Sequence, residues 1–181
     1  NFLRTHVPGF QSLRLTDSDI IQAYILPARG WVERGGPDGG PGGGLGFSRS
    51  DETPLRQAST FTEAREAAQE FQGKALTNEA TGLQANVSRN TLDKMLSRKA
   101  VEKSASAQAQ SRAVANLDRL YQGAIFGWSK EDRDGNTNVR AVHRFFVPMD
   151  MDGRMLMAKL TVKETVDANH ANPLYTVEAV D

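Results

Sequence analysis

The dipeptide Asp152-Gly153 constrains the fold more than any other feature of this sequence. It lies between two runs of alternating apolar and polar residues, at about residues 138–148 and 154–164. Asp-Gly favours the positive φ angles of a two-residue turn, whose twist matches that of two antiparallel strands. The sequence therefore predicts a β-hairpin, and a third alternating run at about residues 174–180 predicts one further strand.

Counting outward from this turn gives the register, because successive side chains point to opposite faces of a strand. One face then carries the apolar pairs Val147 with Ala158, Phe145 with Leu160 and His143 with Val162, together with Val139, Ala141, Leu156, Tyr175, Val177 and Ala179. The opposite face carries Arg144, Lys159, Thr161, Lys163, Thr176 and Glu178, with Val142 and Phe146. A slip of one residue would exchange His143 and Arg144 between the faces, and the sequence leaves both registers open.

Helical patterns precede the hairpin. Thr60 and Glu63 have capping-box spacing, and the first helix continues with the stripe Phe61, Ala64, Ala68 and Phe71 up to a stop at Gly73. Ser88 is the N-cap of a second helix with Leu92, Met95 and Leu96 on its apolar face. A third helix is predicted over residues 107–126, with the stripe Ala113, Leu117, Leu120, Tyr121 and Ala124.

The segments between these helices complete the predicted architecture. "ALTNEATGLQANVS" predicts two short strands around a turn, with Leu83, Ala85 and Val87 directed inward, and "GWSKEDRDGNTN" predicts a polar loop. The fold class is therefore α+β, with N-terminal helices packed on an antiparallel sheet of four to five strands. We expect residues 51–181 to form this domain.

The first fifty residues have a different composition. Residues 35–50 are rich in glycine and predict a flexible linker. Residues 1–34 are expected to be a segment of a preceding region, in which Thr16 or Asp17 caps a short helix closed by Pro27. No apolar run approaches the roughly 18 residues that span a bilayer, and the chain has no Cys. We expect no membrane association, a cytoplasmic location and no thiol chemistry.

The polar face of the sheet has two interpretations. A site for phosphodiester chemistry needs cations to stabilise the phosphate, hydroxyl donors and a group that moves protons, and Arg144, Lys159, Thr161, Lys163 and Glu178 supply these types. The alternative is the ordinary solvated face of an antiparallel sheet. His143 has the ordinary pKa best suited to proton transfer, although its place on the apolar face also predicts a packed, hydrogen-bonded histidine.

Two further patterns concern ligands. Six cationic residues, set against Asp93 and Glu102, form a basic stretch that predicts either phosphate-backbone contacts or a solvated helix surface: Arg89, Lys94, Arg98, Lys99, Lys103 and Arg112. "DRDGNTN" spaces oxygen ligands as a calcium loop does, but Gly135 is at position four and His143 at position twelve. An EF-hand needs its glycine at six and a glutamate at twelve. We therefore predict no metal and no cofactor.

Three runs resemble a known family: "LTNEATGLQANVSRNTLDKMLS", "AVANLDRLYQGAIFGWS", and "HRFFVPM" with "GRMLMAKLTVKET" and "NPLYTVEAV". They resemble, over residues 71–181, the phage and mobile-element domains attached to large polyvalent proteins and MuF-type head proteins. Those domains are assigned to the barnase–EndoU–colicin–RelE-like group of metal-independent ribonucleases and toxins. The fold expected from this group, helices followed by a four-stranded antiparallel sheet, agrees with the pattern above.

The resemblance implies a toxin-like endoribonuclease that cleaves RNA through a 2′,3′-cyclic phosphate. It implies catalytic roles for His143, Arg144, Thr161 and Lys163. It also implies substrate contacts, for which we name Lys103, Ser104, Arg98, Lys159 and Glu178. RNA, with tRNA as one candidate, would be the substrate, and an immunity or antitoxin protein the partner. Similar sequences often carry a His near position 110, where this chain has Gln110. This difference favours the alternative of a non-catalytic nucleic-acid-binding or protein-interaction module.

Overall fold

The computed structural model describes residues 54–167 and 171–180. The predicted segment 1–34 with its cap at Thr16 or Asp17, the linker 35–50 and His170 lie outside these residues. Within them the elements are, in chain order, α1 Phe61–Ala68, β1 Ala75–Thr77, β2 Gln84–Asn86, α2 Arg89–Met95, α3 Arg98–Val101, α4 Ala107–Ala115, α5 Leu117–Gln122, β3 Ile125–Lys130, β4 Val139–Met151, β5 Arg154–Thr165 and β6 Leu174–Val180. The predicted α+β class is confirmed.

The helix starts follow the predicted capping residues. The Thr60 hydroxyl accepts a hydrogen bond from the Glu63 N–H, and the Thr60 N–H donates to the Glu63 carboxylate, which is a complete capping box. Ser88 caps α2 in the same way with Thr91. Between them β1 and β2 form the predicted hairpin, with Leu76 paired to Ala85. These local signals act over three or four residues, so tertiary packing has little opportunity to override them.

The predicted third helix is wrong in its length. Helix α4 ends at Ala115, α5 ends at Gln122, and Asn116 lies between them with non-helical φ and ψ. The Asn116 amide explains the break, because Nδ2 donates to the carbonyls of Arg56 and Arg112, at 3.0 and 2.8 Å. The chain then forms strand β3, so residues 127–130 are extended rather than part of the predicted polar loop.

Four strands make the main sheet, in the order β3, β4, β5, β6, with every neighbouring pair antiparallel. The turn between β4 and β5 is Asp152-Gly153, at φ 56° and 86°. Its register matches the count from the sequence, with His143 opposite Val162 and Arg144 opposite Thr161. The slipped register is therefore excluded.

The core forms between the helices and one face of this sheet. Phe145, Leu160 and Val177 are buried on that face, and the Tyr121 ring of α5 meets the Phe145 ring edge-on at 5.2 Å between centroids. The Tyr121 hydroxyl donates to the Leu83 carbonyl at 3.0 Å, which ties α5 to the β1–β2 hairpin. Burial raises the pKa of Tyr121.

Strand β6 departs from the predicted face assignment. Thr176 pairs with Thr161, but the next pair is Leu174 with Val162, so one extra residue is inserted on β6. A bulge of this kind shifts the alternation of side chains on its strand. Leu174 therefore takes the buried position and Tyr175 joins the polar face, which makes the prediction of an inward Tyr175 wrong.

The outer edge of β6 is hydrogen-bonded to the helical layer. The Ala105 N–H donates to the Ala179 carbonyl at 2.7 Å, and the Ala179 N–H donates to the Ser104 hydroxyl at 3.1 Å. The Gln110 amide Nε2 donates to the Val177 carbonyl at 3.0 Å. These contacts satisfy backbone groups that an edge strand otherwise leaves open.

Arg112, which the sequence grouped with the basic stretch, is not part of an exposed basic surface. It is only 3% exposed, and its Nη1 lies 2.9 Å from the Asp152 carboxylate at the β4–β5 turn. Arg112 therefore connects α4 to the hairpin tip rather than facing a ligand. Within residues 54–167 and 171–180, no helix combines the length and apolar character needed to cross a bilayer.

Candidate functional site

The sheet face opposite the core carries a cleft of about 230 Å³. Strands β4, β5 and β6 form its floor, and the loop between β3 and β4 forms one wall. Its lining consists of Lys103, Lys130, Asp132, Arg133, Asp134, Val142, Arg144, Thr161, Lys163, Tyr175, Thr176 and Glu178. Part of the predicted polar face therefore lines a shallow concavity.

A cross-strand row lies at the centre of the floor, because Arg144, Thr161 and Thr176 are in register on three strands. The Arg144 Nη1 donates to the Thr161 hydroxyl, and the Thr176 hydroxyl donates to the same oxygen at 2.9 Å. The Arg144 Nε is buried and has no hydrogen-bond partner within the described residues.

Two lysines of this sheet face are paired with carboxylates. The Lys159 Nζ lies 2.7 Å from the Glu178 carboxylate of the neighbouring strand. The Lys163 Nζ lies 3.0 Å from the Asp132 carboxylate of the β3–β4 loop, and this hydrogen bond holds the pKa of Asp132 below its usual range. Within the cleft, these carboxylates offset part of the positive charge.

The cleft nevertheless keeps a positive surplus. Five cationic and three anionic side chains line it, and Lys103, Arg133 and Arg144 make no ion pair within the described part of the chain. The Tyr175 ring forms part of the wall, and the ammonium groups of Lys94 and Lys163 each lie 4.7 Å from its centroid. An anionic ligand that carries an aromatic group fits these surroundings.

His143 lies on the other face of β4, among the core residues. It is 5% exposed, its Nε2 is 3.0 Å from the Glu164 carboxylate, and its Nδ1 is buried without a partner in the described chain. Burial lowers the pKa of His143, and the Glu164 carboxylate acts in the opposite direction. The prediction of a packed, hydrogen-bonded histidine is confirmed, and His143 is not brought together with Arg144, Thr161 and Lys163.

The remaining predicted substrate contacts divide into two groups. Lys103 and Glu178 line the cleft, and Lys159 is outside the lining but pairs with Glu178. Ser104 instead bonds the β6 edge and the Gln110 Oε1, at 2.5 Å. Arg98 has a 96% exposed side chain beside Glu102 and is not part of the lining.

Gln110 is fully buried and is not part of the cleft lining. Its Nε2 donates to the carbonyls of Met95 and Val177, and its Oε1 accepts from the Ser104 hydroxyl. Every hydrogen-bonding group of this amide is occupied by the protein itself. The residue at position 110 therefore joins α2, α4 and β6 and contributes no group to the cleft.

Sequence reasoning missed the contribution of the β3–β4 loop. Asp132 and Asp134 were considered only as metal ligands, yet Asp132 binds Lys163 and both residues line the cleft. The nearest signal was the dense run of charges in this loop. Within the described residues no three His, Asp or Glu side chains are grouped so that they could hold a metal ion.

The structure is thus an α+β domain with helices on one face of its main sheet and, on the other, a cleft whose lining has more cationic than anionic side chains. The chain belongs to the family described as large polyvalent protein-associated domain 3, whose sequence model matches residues 57–175. This confirms the predicted association with large polyvalent proteins, whereas the barnase–EndoU–colicin–RelE-like and MuF-type assignments stay predictions. Searches of curated proteins and of solved structures gave no match.

Proposed function

We propose that this domain is a toxin-like, metal-independent endoribonuclease, carried by a prophage or mobile-element protein, that binds RNA in the sheet cleft. The observation that carries the proposal is Arg144, whose side chain lines a cleft with a positive surplus. The Thr161 hydroxyl lies beside it and accepts hydrogen bonds from both Arg144 and Thr176, which leaves its own proton to donate to a ligand. Such fixed donors stabilise the additional negative charge of a pentacoordinate phosphate without reorganisation.

Glu178 replaces His143 as the proton carrier in this proposal, because His143 is buried on the opposite face. The RNA 2′-hydroxyl forms a bond to phosphorus while the bond from phosphorus to O5′ breaks. Glu178 accepts the 2′-hydroxyl proton, and the Lys163 ammonium gives a proton to O5′. The products are a 2′,3′-cyclic phosphate and a free 5′-hydroxyl, and no metal takes part. Tyr175 and Lys103 border the space in which the flanking nucleotides would lie.

A non-catalytic RNA-binding module is the second candidate. It is favoured by the ion pair of Glu178 with Lys159, which must loosen before the carboxylate can accept a proton. No histidine lines the cleft in the part of the chain that the structure describes. In this case the same cations hold the RNA backbone, and the protein binds without cutting.

Cleavage and binding can be measured separately on the full chain. We expect the wild type to cut tRNA or total RNA in EDTA, and to bind a 2′-O-methyl RNA, which cannot be cut. R144A is expected to lower the cleavage rate by about 10²-fold or more, and E178Q to stop cleavage while binding persists. R140A is the matched control, because Arg140 lies on the same strand but pairs with Glu164 outside the cleft.

Each result separates the candidates. Binding without cleavage selects the second candidate, and neither binding nor cleavage refutes both. Loss of cleavage in H143Q, with an unchanged fold by circular dichroism, would overturn the role given to Glu178. Toxicity on expression in a bacterium, relieved by R144A, would support the toxin function and the proposal that an immunity or antitoxin protein restrains it.

A further inference from the structure

The loop between β3 and β4 places a carboxylate inside the cation-lined cleft. Asp132 accepts a hydrogen bond from the Lys163 Nζ at 3.0 Å, and the two side chains are only 7% and 15% exposed. Asp134 approaches the same ammonium at 4.0 Å, with 83% of its side chain exposed. One carboxylate is therefore seated on Lys163, and the other lies at the surface beside it.

The loop backbone is shaped to keep Asp132 in this position. The Asn136 N–H donates to the Asp132 carboxylate at 3.3 Å, and the Gly135 N–H donates to the Asp132 carbonyl at 3.4 Å. Gly135 has φ +63°, a conformation that favours glycine. The Val139 N–H closes the loop on the Asn136 carbonyl at 2.9 Å. Asp132 thus belongs to a small hydrogen-bonded turn rather than to a loosely held surface side chain.

We propose that Asp132 is an internal phosphate mimic that competes with RNA for Lys163 and so restrains the cleft. This inference rests on the proposed function, in which Lys163 meets the RNA phosphate. A carboxylate and a phosphate oxygen both accept charge-assisted hydrogen bonds from an ammonium. Because Asp132 takes one of the three N–H donors and offsets the charge of that ammonium, a phosphate gains the full attraction of Lys163 only when the loop releases it.

The competition has a measurable signature in the salt dependence of binding. Each cation that neutralises a phosphate of single-stranded nucleic acid contributes about 0.7 to the slope of log K against log salt. Removing the internal competitor adds Lys163 to the cations available to RNA. We therefore expect D132N to bind a 2′-O-methyl RNA oligonucleotide about fivefold more tightly than wild type, with a slope steeper by about 0.7.

D134N is the matched control. It removes the same charge from the same loop and is equally conservative in shape, but Asp134 is exposed and farther from Lys163. A change common to both variants reports only the net charge of the loop and overturns the proposal. D132N binding equal to or weaker than wild type also overturns it, provided that thermal unfolding shows both variants to be folded.

A second probe separates this inference from the proposed function. Inorganic pyrophosphate is titrated into the wild type and both variants, followed by the NMR signals of the Arg144 and Lys163 side chains. Tighter pyrophosphate binding by D132N alone, with no RNA binding by any variant, supports the restraint by Asp132 and refutes the RNA function. RNA binding that D132N leaves unchanged refutes the restraint alone. Absence of binding to either probe in all three proteins refutes both.

Discussion

Replacement of Gln110 by Leu tests the connection between the helices and the sheet edge. The Gln110 amide is fully buried and makes three hydrogen bonds, to the carbonyls of Met95 at 2.8 Å and Val177 at 3.0 Å, and from the Ser104 hydroxyl at 2.5 Å. Leu has a similar volume and fills the same space. The substitution therefore removes the hydrogen bonds without opening a large cavity.

The magnitude follows from the groups that lose a partner. A buried polar group left unsatisfied costs about 1–3 kcal/mol, and two backbone carbonyls lose the amide donor. The Ser104 hydroxyl is half-buried and can turn to other acceptors. We expect Q110L to lower the free energy of unfolding by about 2–4 kcal/mol, measured by urea denaturation followed by circular dichroism.

The control for this experiment is S104A. It leaves both carbonyl contacts of Gln110 in place and removes the hydroxyl that bonds Gln110 and the Ala179 N–H, so we expect a smaller loss of about 1 kcal/mol. A Q110L protein within about 0.5 kcal/mol of wild type, which is the usual range for surface substitutions, would refute the reasoning. The same geometry predicts that Q110H gains no cleavage activity, because position 110 does not reach the cleft.

Two further predictions concern charged groups. Burial lowers the pKa of His143 below 6.5 and Glu164 opposes this shift, so E164Q is expected to lower the imidazole pKa further in an NMR titration, and a rise would contradict the assignment. With a lowered pKa in the folded state, His143 binds fewer protons there than in the unfolded chain, so it reduces the free energy of unfolding as pH falls through 6.5. H143Q should remove this part of the pH dependence when unfolding is measured between pH 7.5 and 5. Separately, D152N leaves the Arg112 charge buried without its counter-ion and should cost about 1–3 kcal/mol in thermal unfolding. R112M/D152N should lose less than the summed single substitutions, and additivity would show that the two residues do not interact.

The parts of the fold that the sequence predicted are those set by short-range rules. Thr60 and Ser88 cap their helices through contacts three residues away. Asp152-Gly153 adopts the turn that its conformational preference favours, and the register of β4 with β5 follows from it by counting. Each of these predictions depended on a few neighbouring residues.

The errors arose where distant contacts decide the structure. Asn116 interrupts the predicted helix because its side chain bonds the Arg56 backbone, 60 residues away in sequence. Strand β3 then begins at Ile125, within the range 107–126 predicted as helix, and forms by pairing with β4. The extra residue on β6 turns Tyr175 to the polar face, and no local pattern marks this bulge.

The candidate site was predicted only in part, because strand alternation fixes the faces of its strand residues but not the position of its loop residues. Alternation along the strands grouped Arg144, Thr161 and Lys163 on one face and His143 on the other, which the structure confirms as positions. The carboxylate of Asp132 was missed because the path of a loop is not fixed by strand periodicity. A dense run of charges beside a hairpin is therefore worth examining as part of the site and not only as a metal-binding pattern.

The hydrogen-bonded outer edge of β6 has a consequence for a domain found in large polyvalent proteins. Several domains on one chain are held at an effective concentration that reaches the millimolar range with short linkers. Under such crowding an open strand edge recruits extended segments of neighbouring domains and promotes aggregation. Ser104, Ala105 and Gln110 occupy the β6 groups that would template this pairing. This edge is thereby protected from intermolecular strand exchange, and the domain can have many neighbours on one chain without β6 adding a foreign strand.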